Sequence, residues 1–424
     1  MNNSYKDRMT ITALTILASV LGLAPRAMAA DFLIPGIQGK AAAGAGQTVS
    51  RGASSLYYNP ANLSTARGVQ PEIDLALARI TYSYQHSDTS SYVPATVSAI
   101  TPLATVGLAW NPVAQLGLGL ALLPTGAGTA QVDKGVPAQL SPGSYEPMDI
   151  TRIQTSFRAA AGASWSFNNM LAVGAGLLYY SDTSKLTLIR SGTTTDFLVA
   201  DFKGTSKQFC AGARLTLKDD YVVGVSYRTA ATRPYVGTLA VNTASSNATE
   251  GIYQITDFTG VGYDPAQFGL GLEGRRGRFG AFFDYVREQW SGGRSILKQG
   301  LGGDSPNIDL IDTNNITVGA RFWPTAKQRL EVALGINGGN MGNGDPVTKG
   351  TVLPEVGGVR VGQIEAVGRT IFAGGYRYGL SRSTYLALAG AYMTGSHTVP
   401  PGYTQEGTFT LNVLLMSAGT AYIF

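Results

Sequence analysis

From about Gly68 onward the chain alternates apolar and polar or small residues. Ile73, Leu75 and Leu77 flank Asp74 and Ala76. Leu116, Leu118, Leu120 and Leu122 are separated by Gly117, Gly119 and Ala121. Val223, Val225 and Tyr227 alternate with Gly224, Ser226 and Arg228, and Phe279, Ala281, Phe283 and Tyr285 with Gly280, Phe282 and Asp284. A period of two repeated over this many segments predicts strands, not helices.

The connections between the periodic segments fall into two alternating classes. Short polar ones lie at Asn111–Pro112, Phe167–Met170, Lys218–Asp220, Arg275–Arg278, Pro324–Lys327 and Leu380–Ser383. Longer ones are predicted at about 87–94, 125–149, 191–203, 233–253, 292–311, 338–365 and 396–405. Outer-membrane barrels have short turns on one side, longer loops on the other and an even number of strands, which here gives about 14.

Residues 36 to 66 break the pattern. Gly36 to Gly52 is a small-residue stretch, followed by Ser54-Ser-Leu-Tyr-Tyr-Asn-Pro-Ala-Asn-Leu63 with an Asn-Pro turn signal. This reads as a compact, closely packed segment. A barrel of eight strands is filled by its own side chains and one of 16–18 encloses an open channel, so at about 14 strands the lumen needs an occupant. The expected organisation is a signal peptide at 1–29, a plug at 30–66 and a transmembrane barrel at 67–424.

Composition agrees. The 424 residues include only 14% charged side chains, 54 Gly and 21 Tyr, and mean hydropathy is +0.05. Soluble domains carry about 25% charge. Past residue 30 there is no apolar run of the roughly 20 residues that a membrane helix needs. At the start, Lys6 and Arg8, the apolar stretch Met9–Leu23 and Ala27-Met-Ala29 have the order of an export signal. The formal charge of +5 falls to about +3 without that segment, and its scatter gives no footprint for nucleic acid. Cys210 is the only cysteine, and His86 and His397 are the only histidines, so neither a disulfide nor a Cys/His zinc site is expected. No cofactor is expected. The letters Gly269-Leu-Gly-Leu-Glu-Gly274 match a dinucleotide pattern, but they precede a turn and not a helix. Neither histidine stands beside a nucleophile motif, and no enzymatic activity is expected.

The segments Gly39-Lys-Ala-Ala-Ala-Gly and Ser54 to Leu63, with the Asn59-Pro60-Ala61 triplet after paired tyrosines, resemble the amino-terminal hatch of the FadL/TodX family. These are outer-membrane transporters of long-chain fatty acids and aromatic hydrocarbons. Asn168 to Gly176 and Asp284 to Ser291 resemble the family's turn into the fifth strand and its aspartate-to-tryptophan strand. The resemblance implies a 14-stranded barrel with an inward-folded hatch, facilitated uptake of a hydrophobic small molecule, and a monomer embedded among outer-membrane lipid and lipopolysaccharide. It places Phe32, Leu33 and Ile34 near a high-affinity pocket and a lateral-exit kink on the third strand at Gly117 and Gly119. It reads the terminal Phe424 as the signal for the barrel-assembly machinery. The loops at 191–203 and 233–253 look short and polar, which argues against a long-chain substrate.

Alternation also sorts faces. Arg152, Gln154, Ser156 and Arg158 share one face, and Ile153 and Phe157 the other. A lipid-facing Arg costs roughly 2–4 kcal/mol at mid-membrane, so the Arg face is lumenal. Gln208, Arg214, Arg228, Asp284, Glu288 and Arg321 turn inward by the same logic. Arg152 and Arg158 are candidates for holding a ligand carboxylate. The alternative is that the arginines pair with Asp284, Glu288 or carboxylates of the plug. A general porin for small polar solutes is the competing function, and it predicts a lumen without a plug.

Overall fold

A computed structural model describes residues 34–66, 68–86, 95–124, 129–141, 144–190, 197–217, 221–243, 251–293, 311–339, 368–381, 384–399 and 407–422. The amino-terminal segment holds two short helices, α1 (Ile37–Ala41) and α2 (Ser55–Tyr58), and a 3-10 helix at Pro60–Thr65. Strand segments follow: β1 (Val69–His86), β2 (Ala95–Val113), β3 (Leu116–Pro124), β4 (Thr129–Ser141), β5 (Ser144–Ser166) and β6 (Leu171–Arg190). Next come β7 (Phe197–Leu217), β8 (Tyr221–Arg228), β9 (Ala231–Thr243), β10 (Gly251–Asp264), β11 (Ala266–Arg276) and β12 (Phe279–Gln289). After a 3-10 turn at Trp290–Gly293 the chain ends with β13 (Thr313–Phe322), β14 (Gln328–Asn337), β15 (Arg369–Gly379), β16 (Thr384–Val399) and β17 (Gly407–Tyr422).

These 17 segments make 14 strands. Segments β3 and β4 pair end to end with the same partner, β5. Segments β8 and β9 do so with β7, and β10 and β11 lie against β9 and β8. Three joins take 17 to 14. Strand β17 pairs antiparallel with β1 from Glu72↔Ala421 to His86↔Gly407, closing the sheet into a barrel. Closure leaves no open edge, the condition for β-structure to cross a membrane.

The short turns gather at one end. At 167–170 the Asn168 Oδ1 accepts from the backbone N–H of Met170 and Leu171, both at 2.8 Å, an Asx turn that needs no further residues. At 275–278, Gly277 takes φ +61°, open to glycine at no steric cost. The opposite end corrects the expected loops. Much of 125–149 is strand, in β4 and the start of β5, and β7, β9 and β10 likewise run into 191–203 and 233–253. The alternation there is obscured by Pro137, which faces Pro147, and by register shifts at Asp133/Val136 and Gln139/Ser141. A bulge breaks sequence periodicity while leaving most backbone groups paired. The remaining loop positions 87–94, 294–310, 340–367 and 400–406 lie outside the described residues.

The two faces of the wall invert the pattern of a soluble protein. Leu75 and Leu77 are 59% and 58% exposed, while Ala76 between them is buried and Asp74 and Ala78 on either side are fully buried. An outer band of exposed Leu, Ile and Val runs around the barrel. It is bordered near the short turns by Trp110, Trp165, Tyr221, Phe279, Tyr378 and Tyr422, and toward the other end by Phe157, Tyr227, Phe268, Phe372 and Tyr392. An apolar belt between aromatic girdles is the surface of a transmembrane barrel.

Candidate functional site

The amino-terminal segment touches strands on all sides of the barrel, and nearly all of residues 34–66 are buried. Four sets of contacts hold it. In the first, Asn59 and Asn62 organise the chain locally. The Asn59 Oδ1 accepts from Ala61 N–H at 3.1 Å, and Pro60 opens the 3-10 helix. The Asn59 Nδ2 donates to the carbonyls of Gln47 and Ala213, each at 3.1 Å, and the Asn62 Nδ2 donates to that of Gln47 at 3.0 Å. One asparagine thus ties helix, preceding loop and wall together.

Wall glycines make room for this. A Cβ on Gly174 would lie 2.5 Å from Ala61 N, and one on Gly212 would lie 2.1 Å from Asn59 Oδ1. Gly117 and Gly119 belong to the same set. Their Cβ positions would fall 2.8 Å from the Leu63 carbonyl and 2.7 Å from Leu63 Cδ2. Leu116–Pro124 pairs with β5 without a break, and against β2 the register shifts between Trp110↔Leu118 and Val113↔Leu116, opposite Gly117. Their role in this structure is close backbone approach, the other common use of glycine in a strand.

The second anchor is Asp284, whose Oδ2 accepts from the N–H groups of Gly46 at 2.6 Å and Gln47 at 2.8 Å. Arg214 donates to the Thr48 carbonyl and to Asn62 Oδ1, both at 3.2 Å. The third is on β1 and β2. Lys40 of α1 and Asp74 form an ion pair with both side chains fully buried. Glu72 accepts from Ser54 N–H at 3.2 Å and Thr105 from Gly36 N–H at 3.2 Å. Burial pulls the Lys40 ammonium below its ordinary pKa, against the opposing pull of Asp74.

The fourth set is a column of rings and guanidinium groups. Arg228 donates to the Tyr57 carbonyl and lies 4.2 Å from the ring centroid of Tyr57. Arg158 sits between two rings, 4.7 Å from Tyr57 and 3.7 Å from Tyr180. Arg233 lies 4.9 Å from Tyr180 and pairs with Asp182 and Asp264. Such contacts are strongest when desolvated, at about 2 kcal/mol. Leu123, Arg158 and Tyr180 stand side by side on three adjacent strands. Leu123 begins an apolar inner face that continues through Ile80, Leu103, Leu178, Ile371, Met393 and Leu411, in one cluster with Ile34, Tyr57 and Tyr58. The charged inner side chains Arg214, Arg228, Arg233, Asp264, Asp284 and Arg321 come from β7 to β13. Toward the long-loop end the lumen is therefore divided between this apolar cluster and the charged side chains of β7 to β13, with Arg158 and Tyr180 between them, while Glu72, Asp74 and Glu331 carry charge on β1 and β14 as well.

Of the expected site residues, Ile34 is buried in that apolar cluster and Arg158 faces inward beside Phe157, which is 45% exposed on the outer face. Phe32, Leu33 and Phe424 lie outside the described residues, as does the side chain of Arg152 on β5. Asp284 accepts from hatch amides, and Glu288 from Gln267, Trp290 and Thr313 at 2.9, 2.9 and 3.1 Å. Arg233 uses Asp182 and Asp264, and Arg321 uses Glu273 and Glu331. Parity of alternation would have placed these acids inward. Lys40 was legible as the cation that opens the run Ala41 to Gly46 of small residues.

A closed antiparallel barrel with an apolar belt and an amino-terminal segment bound within its lumen has the architecture of a transmembrane barrel. No family model matches the chain, and no curated protein matches it in sequence. Solved structures match it in fold. A FadL homologue of Pseudomonas aeruginosa superposes with TM-score 0.62 at 13% identity, over 92% of this chain and 98% of that one. The toluene transporter TodX of P. putida gives 0.63 at 15%, and the toluene transporter TbuX of Ralstonia pickettii 0.61 at 13%, each over 92% of this chain and 98% of the other. The chain shares the FadL-type barrel fold with these hydrocarbon channels.

Proposed function

We propose that this protein resides in the outer membrane of a Gram-negative cell and admits a hydrophobic small molecule, with residues 30–66 acting as a hatch. Residues 1–29 are then the export signal and Phe424 the mark read by the assembly machinery. The carrying observation is the divided lumen. Above α2 lies an apolar face of Ile80, Leu123, Leu178, Met393 and Leu411, bordered by Arg158 and Tyr180. That arrangement suits an apolar body, with a polar end turned to the guanidinium column; Arg152 and Arg158 are the proposed carboxylate contacts. Fatty acids and aromatic hydrocarbons both satisfy it. Transport by binding and release needs no bond-making group.

The fold likeness to hydrocarbon channels supports this reading over a general porin, as does a lumen occupied by side chains wired to the wall. The test is removal of residues 30–66. The full-length protein in a planar bilayer is expected to conduct few ions while carrying toluene or decanoate into liposomes. The truncated barrel is expected to fold and conduct freely. A full-length protein that passes ions and sugars like an open pore would make it a porin.

A further inference from the structure

At the short-turn end, α1 of the hatch lies on a patch of small residues. The Ala41 Cβ would meet a Cβ on Gly375 at 2.5 Å, and Ile37 packs with Ala387, Ala389 and Ala421. Beside this contact is a cavity lined by Ile37, Gln38, Ala41, Arg329, Arg377 and Tyr385, among others. Its guanidinium groups differ in their partners. Glu331 is held through both oxygens by Arg321, at 3.1 and 3.2 Å, and reaches Arg329 only at 3.4 Å. Arg321 and the partly exposed Arg51 also share Glu273. Arg377 lies 3.5 Å over the Tyr385 ring and makes no ion pair among the described residues. Arg377 is thus the guanidinium at this cavity without a carboxylate partner among the described residues, with Glu72 and Asp284 acting on the cluster from farther away. The Gln38 Oε1, on a side chain 4% exposed, has no hydrogen-bond partner among the described residues.

We infer that this cavity, between the hatch helix and β14–β16, binds the carboxylate end of an amphipathic acid through Arg377 and Arg329. A planar guanidinium held against a ring presents its edge as a preformed fork, the geometry that grips a carboxylate bidentately. Ile37, Ala41 and Ala387 supply an apolar wall next to that fork, which a free inorganic anion has no use for. The site is separate from the Arg158 column, which borders the apolar face on the other side of α2. It rests on the transport reading and adds a second station: an acid that has passed the hatch is held where α1 meets the wall before it leaves on the short-turn side.

The experiment uses the full-length protein in detergent. Phenylglyoxal modification of individual arginines is read by mass spectrometry with decanoate, decanol or inorganic phosphate at equal concentration. Decanoate is expected to protect Arg377 and Arg329, and the other two are not. Protection by decanol to the same degree would reduce the site to an apolar contact. Protection by phosphate to the same degree would make it a site for a free anion. No protection by decanoate would overturn it. Arg377→Gln is expected to weaken decanoate binding by about tenfold or more, with Arg377→Lys weakened less; equal affinities would also overturn it. Decanol flux into liposomes is measured on the same variants. Wild-type protein with flux but without protection by decanoate counts against this site alone, whereas wild-type protein without flux counts against the transport reading.

Discussion

Replacing Lys40 with Met removes the cation from a pair whose two side chains have no exposure. The Asp74 carboxylate stays behind, in a cavity where Thr105 and Ser417 are its remaining polar neighbours. Breaking a buried pair from one side costs about 3–5 kcal/mol, and replacing both partners by apolar groups of similar volume is often neutral. The cost falls on docking of the hatch, because α1 carries Lys40 while the barrel closes through backbone pairing between β1 and β17. A penalty of that size raises the undocked fraction by about two to three and a half orders of magnitude, at 1.36 kcal/mol per decade. Single-channel recording in planar bilayers should show leak openings in Lys40→Met that are rare in the wild type. Heat-modifiable gel mobility should remain that of a folded barrel. In the double variant Lys40→Met/Asp74→Leu the leak should fall back toward the wild type, and with the Asp74→Leu single variant the four proteins give the coupling of the pair. Equal leak in the single and double variants would refute the reasoning, since the pair would then contribute no specific anchoring.

Two further outcomes follow from the wall. Gly174→Ala would set a Cβ 2.5 Å from Ala61 N; overpacking of this kind costs about 1–3 kcal/mol. It should displace the 3-10 helix and raise leak conductance, while the same change at Gly390, whose Cβ would come no nearer than 3.7 Å to the Leu415 carbonyl, should leave conductance alone. Leu75→Arg places a cation on the apolar belt at a penalty of about 2–4 kcal/mol near the midplane. Urea titration in liposomes should show that loss, and unchanged stability would mean that β1 presents its other face to lipid.

Alternation is a local property, and so the fold was readable from the chain. Leu75 and Asp74 declare opposite faces through a single peptide step, and lipid on one side and polar neighbours on the other leave each only one place to go. Turns were readable for the same reason, as Asn168 and Gly277 show. Strand ends were not, where bulges and Pro137 hid the period. The Asn59-Pro60-Ala61 triplet marked a turn of the amino-terminal segment, because an Asx turn closes within two residues. Its docking partners could not be read locally. Asp284 meets Gly46 and Gln47 from 238 and 237 residues away, and Arg233 finds Asp182 at a separation of 51 and Asp264 at 31. Parity places such groups inside the barrel. Which of them touch depends on register and on how the enclosed segment is turned, and only closure of the barrel decides that. Gly117 and Gly119 show the same limit: a glycine in a strand announces missing volume, and the tertiary structure alone supplied Leu63 to fill it.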